Sequence, residues 1–448
     1  MNLPNEFVKR TRVLFGEARF ERFMSAMAEE SPVSVRLNTQ KIASFFVGSD
    51  SPSIQAQPSS LKKVPWCRDA YYIHSRPMFT FDPLFHAGCY YVQEASSMFL
   101  DRILEQYVKE PITMLDMCAA PGGKSTIALS ALPEGSTLVS NEPISKRASV
   151  LKENISKWLT CKGKEDHGTA VVTSNYPTDF ERLGEVFDVI LCDVPCSGEG
   201  MFRKDANAVK EWSVANVEAS ASLQRKIVAS AWKCLKPGGL MIYSTCTYNI
   251  LENEENIAWI AKIYDTEVLP VDIDCNWGVT GSLLEGFDEP IYRFIPGFTD
   301  GEGLFMCVIR KGPCQREKSQ TCLNSSDCNH NSTEGQGGRG HKQQKHFSPM
   351  KLRVLPLALI DYTQHYSVDL CYDDAVAYLR RESLVLASDT PRGIVVVTYK
   401  GVPLGFMKNI GARANNLYPK EWRIKTTHIP DGPVDLLSDL MNIGWHQS

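Results

Sequence analysis

The chain has 448 residues, a net charge of −4, 43% apolar residues and fourteen cysteines. That length allows two to four domains with a sizeable core, and the charge excludes a globally basic nucleic-acid binder, so any such surface must be a local patch. No stretch approaches the ~18 apolar residues of a membrane span, and the start MNLPNEFVKRTRVLFGEARF carries charges throughout and no apolar signal core. The expected setting is therefore cytoplasmic with reduced thiols, where the sequons at Asn324 and Asn331 are chance matches.

Over residues 4–30, Phe7, Val8, Val13, Leu14, Phe20, Phe23 and Met24 recur among charges at helical spacing. Val33-Ser-Val-Arg-Leu-Asn38 alternates like a strand, and the Ser/Pro-rich stretch 48–60 reads as a loop. These predict a small α/β module over residues 1–105. From 106 to 312, apolar runs alternate with helical stretches: Ile112–Met117, Thr137–Ser140, Phe187–Cys192, Leu240–Ser244 and Leu304–Ile309. That alternation predicts an α/β fold with a doubly wound, mostly parallel sheet. Residues 313–347 contain one leucine and no aromatic up to His346, too little apolar surface to offset ordering entropy, and are expected to form a disordered linker. Its Cys314, Cys322, Cys328 and His330 have spacings that fit no common structural zinc site. Residues 348–448 look folded again, with short strands expected at Leu384–Leu386, Gly393–Tyr399 and Pro403–Phe406. The chain shows no internal repeats.

Met114-Leu-Asp-Met-Cys118-Ala119-Ala120-Pro121-Gly122-Gly123-Lys124-Ser-Thr126 reads as a strand, a tight turn and a helix start. Small residues let a ligand approach the backbone, and a helix N-terminus offers free N–H groups. The tail GGKST resembles a nucleotide-triphosphate loop, but that motif needs a glycine five positions before Gly123, where Cys118 stands. The dinucleotide fingerprint is absent too. Glu142, twenty positions after Gly122 at the end of the next strand, is placed to hydrogen-bond a ribose diol. A glycine loop with a ribose acid and no phosphate loop suits S-adenosylmethionine; an ordinary crossover with a capping acid is the bland alternative for this loop alone.

Two cysteines follow strand ends. Phe187–Cys192 runs into Asp193-Val-Pro-Cys196-Ser-Gly, and Leu240–Ser244 into Thr245-Cys246-Thr, after the turn signal Lys236-Pro-Gly-Gly239. Ligands of open parallel sheets bind at the carboxyl ends of strands, so Asp193, Cys196 and Cys246 should face the Glu142 side. A lone buried cysteine is usually a small hydrophobe. Two at adjacent sites beside a cofactor loop, with no further Cys or His in register for a metal, point to chemistry, without settling which sulfur would react.

The motifs DMCAAPGGKST, NEPISKR, DVPCSGEGMFRKD and YSTCTYNILENEEN, with the upstream GCYYVQEASS, resemble the Sun-type (nucleolar-protein and Sun) RNA cytosine-5 methyltransferases over about residues 5–310. The tail PLGFMKNIGARANNLYPKEWRI resembles the PUA-like domain of the family's bacterial ribosomal-RNA branch. The resemblance implies a Rossmann-like methyltransferase domain with S-adenosylmethionine as cofactor, held by Cys118–Lys124, Glu142 and Asp193. It implies that Cys246 attacks cytosine carbon-6, that Cys196 assists adduct breakdown, that Asp193 contacts the base edge, and that Lys124 positions Asp193. One departure stands out: the third cofactor strand usually ends in an aspartate that contacts the adenine amino group, and here the residue is Asn175.

Arg203, Lys204 and Lys210 after the first cysteine turn, and Lys408, Arg413, Lys420, Arg423 and Lys425 with Tyr418 and Trp422 in the tail, suit phosphate contacts and base stacking. The expected partner is RNA, ribosomal before transfer RNA, for a monomer that needs neither metal nor membrane. The tail is expected to serve substrate recognition and to leave cofactor affinity untouched. The rival readings are a catalytically silent RNA-binding assembly factor, which retention of both cysteines, Asp193 and Lys124 disfavours, and a DNA methyltransferase, which the tail disfavours.

Overall fold

The computed structural model describes residues 3–46, 61–159, 169–313, 352–357, 362–426, 428 and 430–437. The predicted loop over 48–60 and the linker beyond Pro313, with its cysteines, His330 and sequons, lie outside these residues.

The apolar period of residues 4–30 becomes two helices, Asn5–Phe15 and Glu17–Met27, parted by Gly16 at φ +72°. That backbone conformation costs glycine little and other residues more. The chain then forms an antiparallel sheet in the order β2-β1-β3 from β1 (Val33–Leu37), β2 (Ala70–Ile73) and β3 (Tyr90–Val92).

The central sheet holds five mutually parallel strands, β4 (Thr113–Asp116), β5 (Thr137–Asn141), β6 (Thr169–Thr173), β7 (Phe187–Asp193) and β8 (Leu235–Thr245), in the order β8-β7-β4-β5-β6. Alternate side chains feed opposite faces. Met114, Val189 and Leu191 join Ile127 and Ala128 of helix Gly123–Ala131, whereas Leu115, Ile190 and Met241 join Ile227 and Val228 of helix Val214–Trp232. Burial on both faces explains the unbroken apolar runs of the sequence. The run Leu304–Ile309, grouped above with the parallel strands, lies in β11 (Leu304–Lys311), which is antiparallel to β8. A strand buried on both faces reads the same in either direction. Two further strands, β9 (Thr266–Leu269) and β10 (Ile291–Phe294), pair antiparallel with β11. The predicted turn Lys236–Gly239 is an excursion within β8: Phe187 pairs with Leu235 and Val189 with Leu240, with Gly238 at φ +75°.

Beyond the linker, β12 (Val354–Leu355) adds to the edge of β6. A four-stranded sheet follows in the order β13-β14-β15-β16, from β13 (Ser367–Asp369), β14 (Gly393–Tyr399), β15 (Val402–Asn409) and β16 (Ala414–Asn416), with helix Tyr372–Leu379 packed against it. The strand expected over Leu384–Leu386 reduces to one bridge between Leu384 and Ala414. This sheet and the N-terminal one share a hydrophobic core, in which Val35, Phe79 and Tyr90 cluster with Tyr378, Val395 and Leu404. Tyr372 Oη donates to Phe81 O (3.0 Å), and Leu436 N donates to Asp82 Oδ2 (3.2 Å).

Candidate active site

The register of β7 and β8 brings the two cysteines together. Asp193 pairs with Ser244, so Cys196, three residues past Asp193, and Cys246, two past Ser244, leave neighbouring strands at the same edge. Their Sγ atoms lie 3.4 Å apart, both half-buried and without a disulfide. The contact with Cys246 and desolvation together hold the Cys196 thiol pKa well above its ordinary value. Lys124, the second residue of its helix, approaches the same edge, with its Nζ 2.9 Å from Asp193 Oδ2; Ser244 Oγ donates to Asp193 Oδ1 (2.6 Å). Desolvation opposes the Lys124 charge, but Asp193 outweighs it and leaves the pKa raised. Cys196, Cys246, Asp193 and Lys124 thus form one constellation, with Ser244 a member that residue-type reasoning passed over.

Two buried carboxylates shape the cysteine turns. Glu199, 2% exposed, accepts from Trp212 Nε1 (3.0 Å), Thr247 Oγ1 (2.5 Å), Tyr248 N (2.7 Å) and Asn249 N (3.0 Å). A residue of the Cys196 turn thereby gathers the backbone that follows Cys246. Glu252 works in the opposite direction, accepting from Ser197 N (3.0 Å) and Gln224 Nε2 (2.7 Å). Gly200 N donates to Cys246 O (2.8 Å), and a Cβ at Gly200 would sit 2.9 Å from that oxygen. Tyr248 is wedged between Phe15 and Phe23 of the N-terminal helices (ring centroids 6.3 and 5.2 Å), and its carbonyl accepts from Arg293, itself ion-paired with buried Glu254. The signal for Glu199 and Glu252 was in the motifs CSGEG and ILENEEN, but nothing in one-dimensional spacing says that these carboxylates are buried.

The glycine loop follows β4. Met117 N donates to Leu191 O (3.0 Å) and Ala119 N to Asn141 O (2.8 Å), tying the loop to both neighbouring strands. Cys118 and Ala120 are half-buried, Pro121 is exposed, and Gly122 adopts φ +114° where a Cβ would meet Leu151 Cδ1 at 3.2 Å. Gly123 opens the helix against Gln93, whose Nε2 would lie 3.2 Å from an added Cβ. Asp116, fully buried, accepts from Ser125 Oγ (2.7 Å) through one oxygen, and its Oδ1 has no partner. Burial raises its pKa to about 7, against the lowering effect of Ser125. Glu142 follows β5 and is 1% exposed; Ile144 N donates to its Oε1 (2.9 Å) and Arg147 Nη1 lies 3.1 Å from its Oε2. Asn175, just beyond β6, is already engaged: its Oδ1 accepts from Arg353 N (2.9 Å) and its Nδ2 donates to Arg353 O (3.3 Å).

The basic surface divides. Arg203 has a side chain 5% exposed, ion-paired with Glu302 (2.8 Å) and donating to Ala26 O and Gly301 O, so it is a structural cation and not a free phosphate contact. Lys204 and Lys210 are exposed, as are Lys408, Arg413, Lys420, Arg423 and Lys425. Tyr418, expected to stack on bases, is 2% exposed and packs on Tyr378 (5.3 Å) in the domain core. Trp422 is half-buried, with the Lys157 ammonium 5.1 Å from its ring. Among the described residues, no group of three or more His, Cys, Asp or Glu side chains could hold a metal ion, and no helix is long and apolar enough to cross a membrane.

Comparison with known proteins gives the site a context. Residues 103–310 match the family "16S rRNA methyltransferase RsmB/F", residues 3–95 the N-terminal domain of 16S rRNA methyltransferase RsmF, and residues 365–424 the methyltransferase RsmF PUA domain. The chain is 30% identical to ribosomal RNA small subunit methyltransferase F of Enterobacter sp. (strain 638), over 93% of this chain and 95% of that one. The corresponding protein of Salmonella heidelberg (strain SL476) is also 30% identical, over 93% and 96%. Among solved structures, a methyltransferase homolog protein from Pyrococcus horikoshii aligns with TM-score 0.55 and 26% identity, over 69% of this chain and 95% of that one. NSun6 from the same organism, with SFG, shares the fold (TM-score 0.54, 20% identity, 69% and 98% coverage). Fold, site and matches together define a methyltransferase of Rossmann-like architecture with an appended PUA domain. The chain belongs to the 16S rRNA methyltransferase RsmB/F family.

Proposed function

We propose that this protein is an S-adenosylmethionine-dependent RNA cytosine-5 methyltransferase acting on ribosomal RNA. The carrying observation is the 3.4 Å approach of Cys196 and Cys246 beside the Lys124–Asp193 pair, at the carboxyl edge of the sheet. The names of the relatives favour ribosomal RNA as the substrate. The N-terminal and PUA domains serve RNA binding, and the exposed Lys420, Arg423 and Lys425 supply phosphate contacts.

The loop fits the cofactor. A left-handed glycine before a helix N-terminus, small residues 118–120, the buried acid Glu142 and the unpartnered Asp116 Oδ1 offer backbone N–H groups and acceptors to an amino acid and a ribose. Cys118 to Lys124, Glu142 and Asp193 would hold it, with Asn175 at the adenine end. Bound S-adenosylmethionine supplies an electrophilic methyl group.

Carbon-5 of cytosine is a poor nucleophile. Cys246 adds as thiolate to carbon-6, forming the C6–S bond and pushing the ring electrons toward carbon-5 and nitrogen-3 as an enamine. Asp193, held between Lys124 and Ser244, accepts from the cytosine amino group beside nitrogen-3, and Lys124 stabilises the charge that gathers on nitrogen-3 and on the thiolate. After carbon-5 has taken the methyl group, solvent water accepts the carbon-5 proton, the C–H electron pair re-forms the C5=C6 bond and Cys246 departs with the C–S electron pair. Cys196, with its Sγ 3.4 Å from that of Cys246, assists this release by donating its S–H to the departing thiolate.

The alanine variants must therefore fail differently. Cys196→Ala, incubated with substrate RNA and cofactor, is expected to give a denaturant-resistant protein–RNA band. Cys246→Ala and the double variant should give none. If Cys246→Ala accumulates the adduct and Cys196→Ala does not, the roles are reversed; if no variant does, covalent catalysis is wrong.

A further inference from the structure

After the linker, the chain returns to the methyltransferase sheet before it enters the PUA domain. Val354 and Leu355 pair antiparallel with Thr173 and Val172 of β6. The pairing continues past the strand end, where Ser174 N donates to Arg353 O (3.0 Å) and Arg353 N to Asn175 Oδ1 (2.9 Å). Arg353 Nη1 also donates to Ser145 Oγ (3.2 Å), at the start of the helix that carries Arg147. Leu355 and Leu357 pack on the small cluster of Leu151, Ile155, Leu159, Val172 and the glycine-loop residue Ala119.

These contacts lead inward. Asn175 N donates to Asn141 Oδ1 (3.0 Å), and Asn141 Nδ2 donates to Met117 O (3.1 Å). Ala119 N in turn donates to Asn141 O (2.8 Å). One hydrogen-bonded path therefore runs from Arg353 through Asn175 and Asn141 to the loop before Gly122. Asn141 immediately precedes Glu142, so the path passes both polar ends of the proposed cofactor cleft. Covering a free sheet edge accounts for β12 itself. It does not account for a backbone that occupies both functions of the Asn175 amide.

We infer that residues 352–357 are a working wall of the cofactor site, and that Arg353 is a positioning residue that orients Asn175 through its main chain. The inference rests on S-adenosylmethionine as the ligand of this cleft. The linker thus joins two parts of one site, and removing the chain beyond residue 312 takes away a piece of the cofactor cleft along with the RNA-binding domain.

The test uses full-length protein and S-adenosylmethionine itself. Arg353→Pro removes the N–H donated to Asn175 and keeps the carbonyl; Asn175→Ala removes the amide; Leu355→Ala/Leu357→Ala loosens the packing without touching the polar path. Each is expected to raise the cofactor Kd by about 5–30-fold, the size of one to two unpaired polar contacts, and to raise the cofactor KM with it. RNA affinity measured without cofactor should not change. Combining Arg353→Pro with Asn175→Ala should add little to the worse single variant, because both break one path. If the segment only covers the sheet edge, Arg353→Pro and the leucine pair lower the melting temperature and leave cofactor Kd unchanged, which overturns the inference. Should Arg353→Pro fail to fold, the leucine pair decides alone, because Asn175 also lies at the proposed adenine end. Failure of the wild-type protein to bind S-adenosylmethionine is a separate outcome, and sinks the cofactor reading instead.

Discussion

Glu199 and Gly200 show how much of the site rests on residues that do no chemistry. The Glu199 carboxylate is saturated by donors of the Cys246 turn, so its charge is compensated where no water reaches it. Gly200 lets the two turns touch. Gly200→Ala would force a methyl group against Cys246 O, with Glu302 O and Gly303 O at 3.1 Å on the other sides. We expect Cys246 to shift by a few tenths of an ångström and kcat/KM to fall about 10–100-fold, since small misplacements of reacting atoms are costly. Steady-state kinetics on a variant that melts normally would check this; unchanged kinetics would show that the turn can give. Asp116 yields a pH prediction. Its pKa rises on folding from an ordinary carboxylate value to about 7, so between pH 4 and pH 7 the folded protein holds a proton that the unfolded chain has lost. Its contribution therefore favours folding at low pH and fades as pH rises through 7. Asp116→Asn should remove that component, making stability flatter between pH 5 and 7 in denaturant titrations. An unchanged slope would mean that Asp116 is ionised in the native state.

At the scale of elements, the N-terminal helices buttress the Cys246 turn. Phe7, Phe15, Phe20 and Phe23 form one cluster with Phe202, Trp212 and Tyr248, which links the first thirty residues to both cysteine turns. Phe23 is fully buried, and Phe23→Ala should cost about 3–5 kcal/mol. It should also depress activity before global unfolding, because the cavity opens beside Tyr248. A guanidinium titration paired with an activity assay at zero denaturant would separate the two; loss of stability with full activity would show that the turn holds itself. Helical periodicity was legible here, since seven apolar residues recur at the right spacing. Their partners were not, because Tyr248 lies more than two hundred positions away in sequence.

At the scale of the whole molecule, the outer modules are not beads on a string. The N-terminal and PUA sheets share one apolar core, and Asp82 binds Leu436 N across the join. Burial raises the Asp82 pKa to about 6, partly offset by the hydroxyl of Tyr90. The exposed cations of the PUA domain remain the best candidates for RNA contact. Lys420→Ala and Arg423→Ala should each weaken RNA binding and reduce the slope of log K against log salt by about 1. Equal slopes for variant and wild type would place the RNA path elsewhere. Both residues are exposed, so melting temperatures should stay within about 2 °C of the wild type's, the range of a minor surface change.

The sequence alone determined the class of fold, because apolar runs alternate with helices, and it named Cys196, Cys246, Asp193 and Lys124, which the structure brings to one edge because each lies at or just beyond the end of a parallel strand. It also marked the glycine loop, whose backbone demands are local, and a tail that resembles a PUA domain. Tertiary structure decided everything that depends on a partner distant in sequence. It placed Arg203 in an ion pair with Glu302 and Tyr418 in a core, both unavailable to RNA. It turned Glu199 and Glu252 from acids in a motif into clamps on the opposite turn. It brought Arg353 across the linker to Asn175. Local sequence encodes propensity and period; burial, charge compensation and hydrogen-bond partners arise only when segments far apart in the chain close on one another.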